Sequence, residues 1–169
     1  MEEITSTKVK LLVTTGLRET WGKLHDVTFI GEWCKSYPSP AGLKKINHQT
    51  VPFHWSDRKK LQKDYKYIQS LNERILEELV IKLNKHHQIN KSTNYWRIIL
   101  GPWLFLFTPV LFDRWEGIRI SIQNYDLDET FILSLNEEEG IPDDYDDLNY
   151  LSNDDVWNHS IFSHILVNY

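Results

Sequence analysis

The sequence predicts an α/β domain, with an open, mostly parallel sheet flanked by long helices. Three observations predict it. Two short apolar runs, each meeting a glycine, precede residue 34, and near-continuous apolar strands suit a sheet covered on both faces. A stripe of apolar side chains at helical spacing runs from Leu61 to Leu83, and a third β-prone run follows at 128–135. At 169 residues the chain has the size of one domain, expected over 1–169.

The first run, Val9 to Thr15, ends at Gly16, and the polar stretch up to Trp21 has room to open a helix. The second run, Asp26 to Trp33, is expected to be its parallel neighbour, although a connection this short leaves the pairing open. Pro38, Pro40, Gly42 and Pro52 mark 35–53 as a long surface loop. Ser56 reads as the N-cap of a helix reaching about His86, whose stripe of Leu61, Tyr65, Ile68, Leu71, Ile75, Leu79 and Leu83 should face the core. The apolar residues from Ile98 to Phe112 are too few for a membrane span and contain two prolines. They predict a helix buried on all sides, with Pro102 in its first turn after a break at Gly101 and Pro109 kinking or ending it. Beyond Asp128–Leu135 come an acidic loop at 136–147 and a helix through Trp157, Ile161 and Ile165. The chain is still apolar at Tyr169, as if cut from something longer, so a missing domain or a second copy is expected to cover that end.

Composition excludes several classes. A content of 41% hydrophobic and 25% charged residues is that of a folded domain, and seven tryptophans make its core rich in large rings. Residues 1–115 carry 18 Lys and Arg against 11 Asp and Glu, whereas 116–169 carry one against 13. No Lys/Arg-dense run, zinc-finger spacing or RNA-binding motif accompanies the basic part, so nucleic acid is not the expected partner. A single cysteine forms no internal disulfide, and the acidic start lacks a leader pattern, which makes the cytoplasm the expected compartment.

Dinucleotide, P-loop, hydrolase-elbow and zincin motifs are all missing. His86 with His87, and His159 with His164, are spaced wrongly for a two-ligand helix face, so no metal is expected. Cys34 reads as a small buried residue. What stands out is a set of charged groups beside tryptophans at element boundaries: Glu32-Trp33, His54-Trp55-Ser56-Asp57-Arg58, Trp96-Arg97, Asp113-Arg114-Trp115 and Trp157-Asn158-His159. Such groups at the mouth of a core can have tuned pKa values or orient a polar ligand, and they can equally brace helices. His54 and Glu32 are the candidate general bases, with Asp57 beside His54 in the catalytic set. Arg58, Arg97 and Arg114 are the candidate anion holders, and Trp96, Asp113 and His159 complete the substrate-binding set. The turn at Thr15 and Gly16 offers backbone N–H groups to a phosphate.

The segments Leu11 to Trp21, Ile30 to Cys34, His54 to Arg58, Tyr95 to Trp103, Phe112 to Trp115 and Asp155 to His159 resemble a family of large transferases encoded in bacterial surface-polysaccharide and lipopolysaccharide gene clusters. Ser56 stands where that family more often has an acid. Family members are several times longer, and this chain resembles their amino-terminal part. The resemblance implies a glycosyltransferase-like architecture of two Rossmann-type halves, with this chain as the half that holds a carbohydrate or lipid-linked glycan acceptor. A nucleotide-sugar donor is then expected to need the carboxy-terminal half, and no cofactor is expected in this chain. The competing expectations are a non-catalytic interaction or scaffold domain and a truncated, inactive fragment.

Overall fold

The computed structural model describes residues 9–22, 26–36, 43, 46–134 and 141–169. Four short strands, β1 (Lys10–Val13), β2 (Asp26–Phe29), β3 (Asn47–Thr50) and β4 (Glu129–Thr130), form one sheet. Its order is β3-β2-β1-β4, and every pair is parallel. Among the described residues the helices α1 (Arg58–His87), α2 (Thr93–Asn124), α3 (Tyr145–Leu151) and α4 (Asp155–Asn168) accompany it.

The chain divides into two compact units. The first comprises residues up to Phe53, Arg114–Ile141 and Asn153–Tyr169; the second comprises His54–Asp113 and Pro142–Ser152. Helix α2 contributes to both.

The first unit is built on β1 and β2, whose register sets Leu11 beside Val27 and Val13 beside Phe29. These side chains bury with Trp21, Ile30, Cys34, Ile118 and Phe162. Among its described residues, the crossover from β1 to β2 holds a 3-10 turn, Arg18–Trp21, where the sequence suggests the opening of a helix. Trp21 explains this: its indole is buried edge-on to Phe29 at 4.9 Å and donates to the Thr15 carbonyl, which pulls the segment onto the sheet. Gly22 closes the turn at φ +55°, where a Cβ would also lie 2.5 Å from the Phe131 ring. Cys34 is fully buried, as its sequence context predicts, and burial pushes its thiol up to about 12. Iodoacetamide should therefore leave Cys34 unmodified in the native chain and label it completely in denaturant, by mass spectrometry.

Several sequence expectations are corrected here. The second strand stops at Phe29, and Glu32 lies beyond it in a 3-10 turn, Glu32–Lys35. The 35–53 segment is not loop throughout, because Asn47–Thr50 adds to the sheet as β3. Its residues have no apolar alternation; side chains reinforce its parallel ladder with β2, Asn47 donating to Asp26 at 2.6 Å and Gln49 to Thr28 at 3.0 Å. Residues 37–42 and 44–45 of that segment lie outside the described residues. The third strand shortens to Glu129–Thr130, since the Leu133 N–H donates to His159 instead of continuing a ladder. Of the expected acidic loop, 136–140 lie outside the described residues, and Tyr145 to Asp147 form the start of α3. Asp144 caps it by accepting from the Asp147 N–H at 2.9 Å, and acids in a first turn complement the helix dipole.

The second unit holds α1, the first part of α2 and α3. Asp57, rather than Ser56, caps α1, accepting the Lys59 N–H at 2.8 Å. The helix ends on Gln88 in the left-handed region, φ 56°. Ile68 and Leu76 are buried, but Leu61 and Tyr65 are exposed, so the expected stripe does not face the core along its whole length. In those first turns the buried position belongs to Asp64.

Helix α2 departs further from expectation. It runs unbroken from Thr93 to Asn124 with Pro102 and Pro109 inside it. A proline removes the bond to the carbonyl four residues earlier, here on Ile98 and Phe105. Those residues are 80% and 69% exposed, so water can take up the carbonyls released. The same exposure rules out a helix buried on all sides: only 17% of its most apolar stretch is buried. By length and composition alone, α2 is apolar enough to cross a membrane.

Candidate functional site

In the first unit the candidate residues gather where β1 and β2 end. Beyond β1, Thr14 and Thr15 are buried, and the Trp21 indole holds the Thr15 carbonyl. The Thr15 hydroxyl is buried with no hydrogen-bond partner among the described residues. Gly16 donates its N–H to Asp155 Oδ1 at 3.1 Å, so a carboxylate from the first turn of α4 occupies the donor proposed for phosphate. A Cβ at Gly16 would stand 2.6 Å from Asp155 Oδ2, which ties that glycine to this close approach.

Beyond β2 the turn Glu32–Lys35 carries a carboxylate, an indole, a thiol and an ammonium in succession. The Lys35 ammonium lies 2.6 Å from Glu32 Oε2 and donates to Thr50 Oγ1 at 2.9 Å, which anchors the turn to β3. The Glu32 carboxyl is held below the usual carboxylate range, chiefly by its hydrogen bond to Lys35. Its side chain is 76% exposed, whereas that of Lys35 is mostly covered.

Arg114 and His159 complete the candidates in this unit. Arg114 donates from Nε to Asn158 Oδ1 at 2.8 Å. His159 is buried and accepts the Leu133 N–H on Nε2 at 2.9 Å, which places its proton on Nδ1. Burial pulls its pKa below the ordinary value of 6.5, and protonation of Nε2 would forfeit the Leu133 bond. The unfolded chain therefore binds this proton more readily than the folded one. His159 contributes stability that is complete above about pH 6.5 and declines as pH falls below it. Native melting curves should show His159→Gln losing less stability than the wild type between about pH 6.5 and 5. Parallel losses in the two chains would remove this account.

The second unit holds His54, Asp57, Arg58, Trp96, Arg97 and Asp113. His54 Nε2 donates to Asp113 Oδ1 at 2.9 Å, a pair 59 residues apart in sequence. Their side chains are only 5% and 10% exposed. Beside them Trp55 stacks on Phe112 at 6.2 Å and donates to Asp64, which also pairs with Lys60. The Asp57 carboxylate is engaged as the cap of α1, and Arg58 is exposed in the first turn. Trp96 and Arg97, adjacent in sequence, part company: Trp96 is buried and donates to Asn84 at 3.0 Å, while Arg97 pairs with Glu73 at 2.5 Å on the surface. Arg97 and Asp113 are 16 residues apart on α2. That is about 24 Å along its axis, so they do not line one pocket there.

The sequence reading found His54, Asp113 and Glu32 but passed over Lys35, Asp64 and Asp155, which hold three of these arrangements. The one available signal was Glu32 three residues before Lys35, the spacing of neighbours on a helical turn. Among the described residues, no group of three or more His, Cys, Asp or Glu side chains is placed to hold a metal ion.

No curated protein and no solved structure matches the chain. The sequence model of the LIC12162 family transferase matches residues 10–168, and on that match the chain belongs to this transferase family.

Proposed function

We propose that this chain is the acceptor-side domain of a cytoplasmic glycosyltransferase-like enzyme of bacterial surface-polysaccharide synthesis, with a Rossmann-like sheet. The observation that carries the reading is the strand order. In an all-parallel β3-β2-β1-β4 sheet the direction of winding reverses between β1 and β4, and open α/β sheets bind ligands beyond the carboxyl ends of strands at such a reversal. Thr15 and Gly16 follow β1, and Glu32 follows β2 on the same edge.

In this reading Glu32 takes the proton from an acceptor hydroxyl as the oxygen attacks the anomeric carbon of a sugar, and a nucleotide departs with the bonding pair. Its exposure favours it over His54, whose imidazole is enclosed with Asp113. His54 and Asp57 then act by holding the start of α1. Arg114, in the same unit as Glu32, attracts an anionic group of the acceptor. A phosphate at Gly16 would have to displace Asp155. The nucleotide-sugar donor is held by a carboxy-terminal half beyond this chain. The test is calorimetric titration of nucleotide sugars and of acidic oligosaccharides into this chain and into a longer chain carrying that half. Binding of glycans here and of donors only to the longer chain is expected; folded proteins that bind neither would end the proposal.

One observation favours a second reading, a non-catalytic interaction domain. His54–Asp113 is a largely buried hydrogen-bonded pair, and Arg97–Glu73 and Arg119–Glu116 are ion pairs, each internal to its unit, the arrangement of braces. If bracing is all they do, His54→Ala should lower the melting temperature, whereas Glu32→Gln should leave both the melting temperature and any transfer by the longer chain unchanged.

A further inference from the structure

We infer that Trp33 is a stacking platform for the apolar face of a pyranose ring, with Glu32 as the acceptor of that sugar's hydroxyl protons; this rests on the glycosyl-transfer reading and names a substrate contact for it. A Cβ built on Gly31 would fall 2.1, 2.3 and 2.4 Å from three consecutive atoms of the Trp33 six-membered ring. A point can lie so close to three neighbouring ring atoms only above the ring's face, since an approach in the ring plane leaves the flanking atoms near 3 Å, about twice a C–C bond. One face of the indole therefore lies flat on the Gly31 backbone, and any side chain at residue 31 would lift it away. Yet 40% of Trp33 remains exposed, and among the described residues no ring or cation is stacked on it. Trp21, by contrast, is buried against Phe29.

A tryptophan laid against a glycine, with 40% of its surface still exposed, offers a π surface of negative quadrupole that attracts the C–H groups on one side of a sugar. A hydrophobic core has no use for an exposed face, and the ring is fixed in place without a ligand, so little ordering remains to oppose binding. The adjoining residue supplies the polar half of such recognition. The Glu32 carboxylate is exposed, ionised through its bond to Lys35, and able to accept hydroxyl hydrogens. Lys35 is steadied by Thr50, so the turn presents both groups from a fixed base. The ligand class is a neutral hexopyranose with one face of axial C–H groups. A planar anion is disfavoured beside Glu32.

The probe is methyl β-galactopyranoside added to the full chain, read by saturation-transfer difference NMR and repeated with Trp33→Leu and Trp33→Phe. Saturation concentrated on the C–H hydrogens of one sugar face is expected, with affinity lowered about tenfold in Trp33→Leu and within about threefold of wild type in Trp33→Phe. Because Trp33 is half exposed, both variants should melt near the wild type. Affinity unchanged by Trp33→Leu, or no saturation transfer with the wild type, overturns the platform while leaving transfer to be judged by donor titration. Stacking lost with Trp33→Leu in a protein that transfers no sugar would instead uphold the platform and remove the transfer reading.

Discussion

Trp21→Ala is expected to destabilise the first unit by about 4 kcal/mol, the largest stability effect of any single truncation here. The residue loses a fully buried indole, its edge contact with Phe29, its bond to the Thr15 carbonyl and the Arg18 guanidinium stacked 4.1 Å above the ring. Domains of this size have about 5–15 kcal/mol in hand, so much of the margin disappears. Urea unfolding followed by circular dichroism measures it. Trp21→Phe keeps most of the apolar volume and forfeits the hydrogen bond, for about 1–2 kcal/mol. The exposed Trp115 provides the comparison: Trp115→Ala should change stability by less than about 1 kcal/mol. Equal effects at the two tryptophans would mean that the crossover turn is not what joins β1 to β2.

Glu32→Gln is expected to lower the transfer rate about 10²- to 10⁴-fold, the range for loss of a general base, with the melting temperature unchanged. The amide fills the same space but cannot accept the proton. Acceptor affinity should fall far less than the rate, because glutamine still meets a hydroxyl. The pH profile gives an independent sign. Lys35 holds the Glu32 carboxyl below its usual range, so the base remains ionised at a pH where an ordinary carboxylate begins to protonate. Removing the ammonium in Lys35→Met should raise that value and move the acid limb of the rate profile to higher pH. A limb that stays in place, with Glu32→Gln still active, would exclude Glu32 as the base and return attention to His54.

Both predictions turn on residues whose type was visible in the sequence and whose surroundings were not. The β1 and β2 runs were legible because apolar residues crowd into four or five positions, a pattern that buried parallel strands impose. The long α1 was legible from its period. β3 was not, since Asn47-His48-Gln49-Thr50 carries no apolar alternation and becomes a strand through its parallel ladder with β2, to which Asp26 and Thr28 add side-chain bonds. α2 was misjudged at its prolines and its burial for a related reason. Whether a proline ends a helix depends on what becomes of the released carbonyl, and that depends on which side faces water.

For the candidate site the division is similar. Composition and local pattern determined that this is an α/β chain, that Cys34 is buried and that charged groups stand beside tryptophans; Asp113-Arg114-Trp115, expected at an element end, lies inside α2. Those facts depend on neighbours in sequence, whose spacing a strand or helix converts directly into a face. Only the tertiary structure decided which group each charge meets: Asp113 for His54, Glu73 for Arg97, Lys35 for Glu32, Asp155 for Gly16. Three of those partners lie 24, 59 and 139 residues away. An electrostatic interaction falls off with distance in space and is indifferent to separation along the chain, so folding alone could assign the pairs.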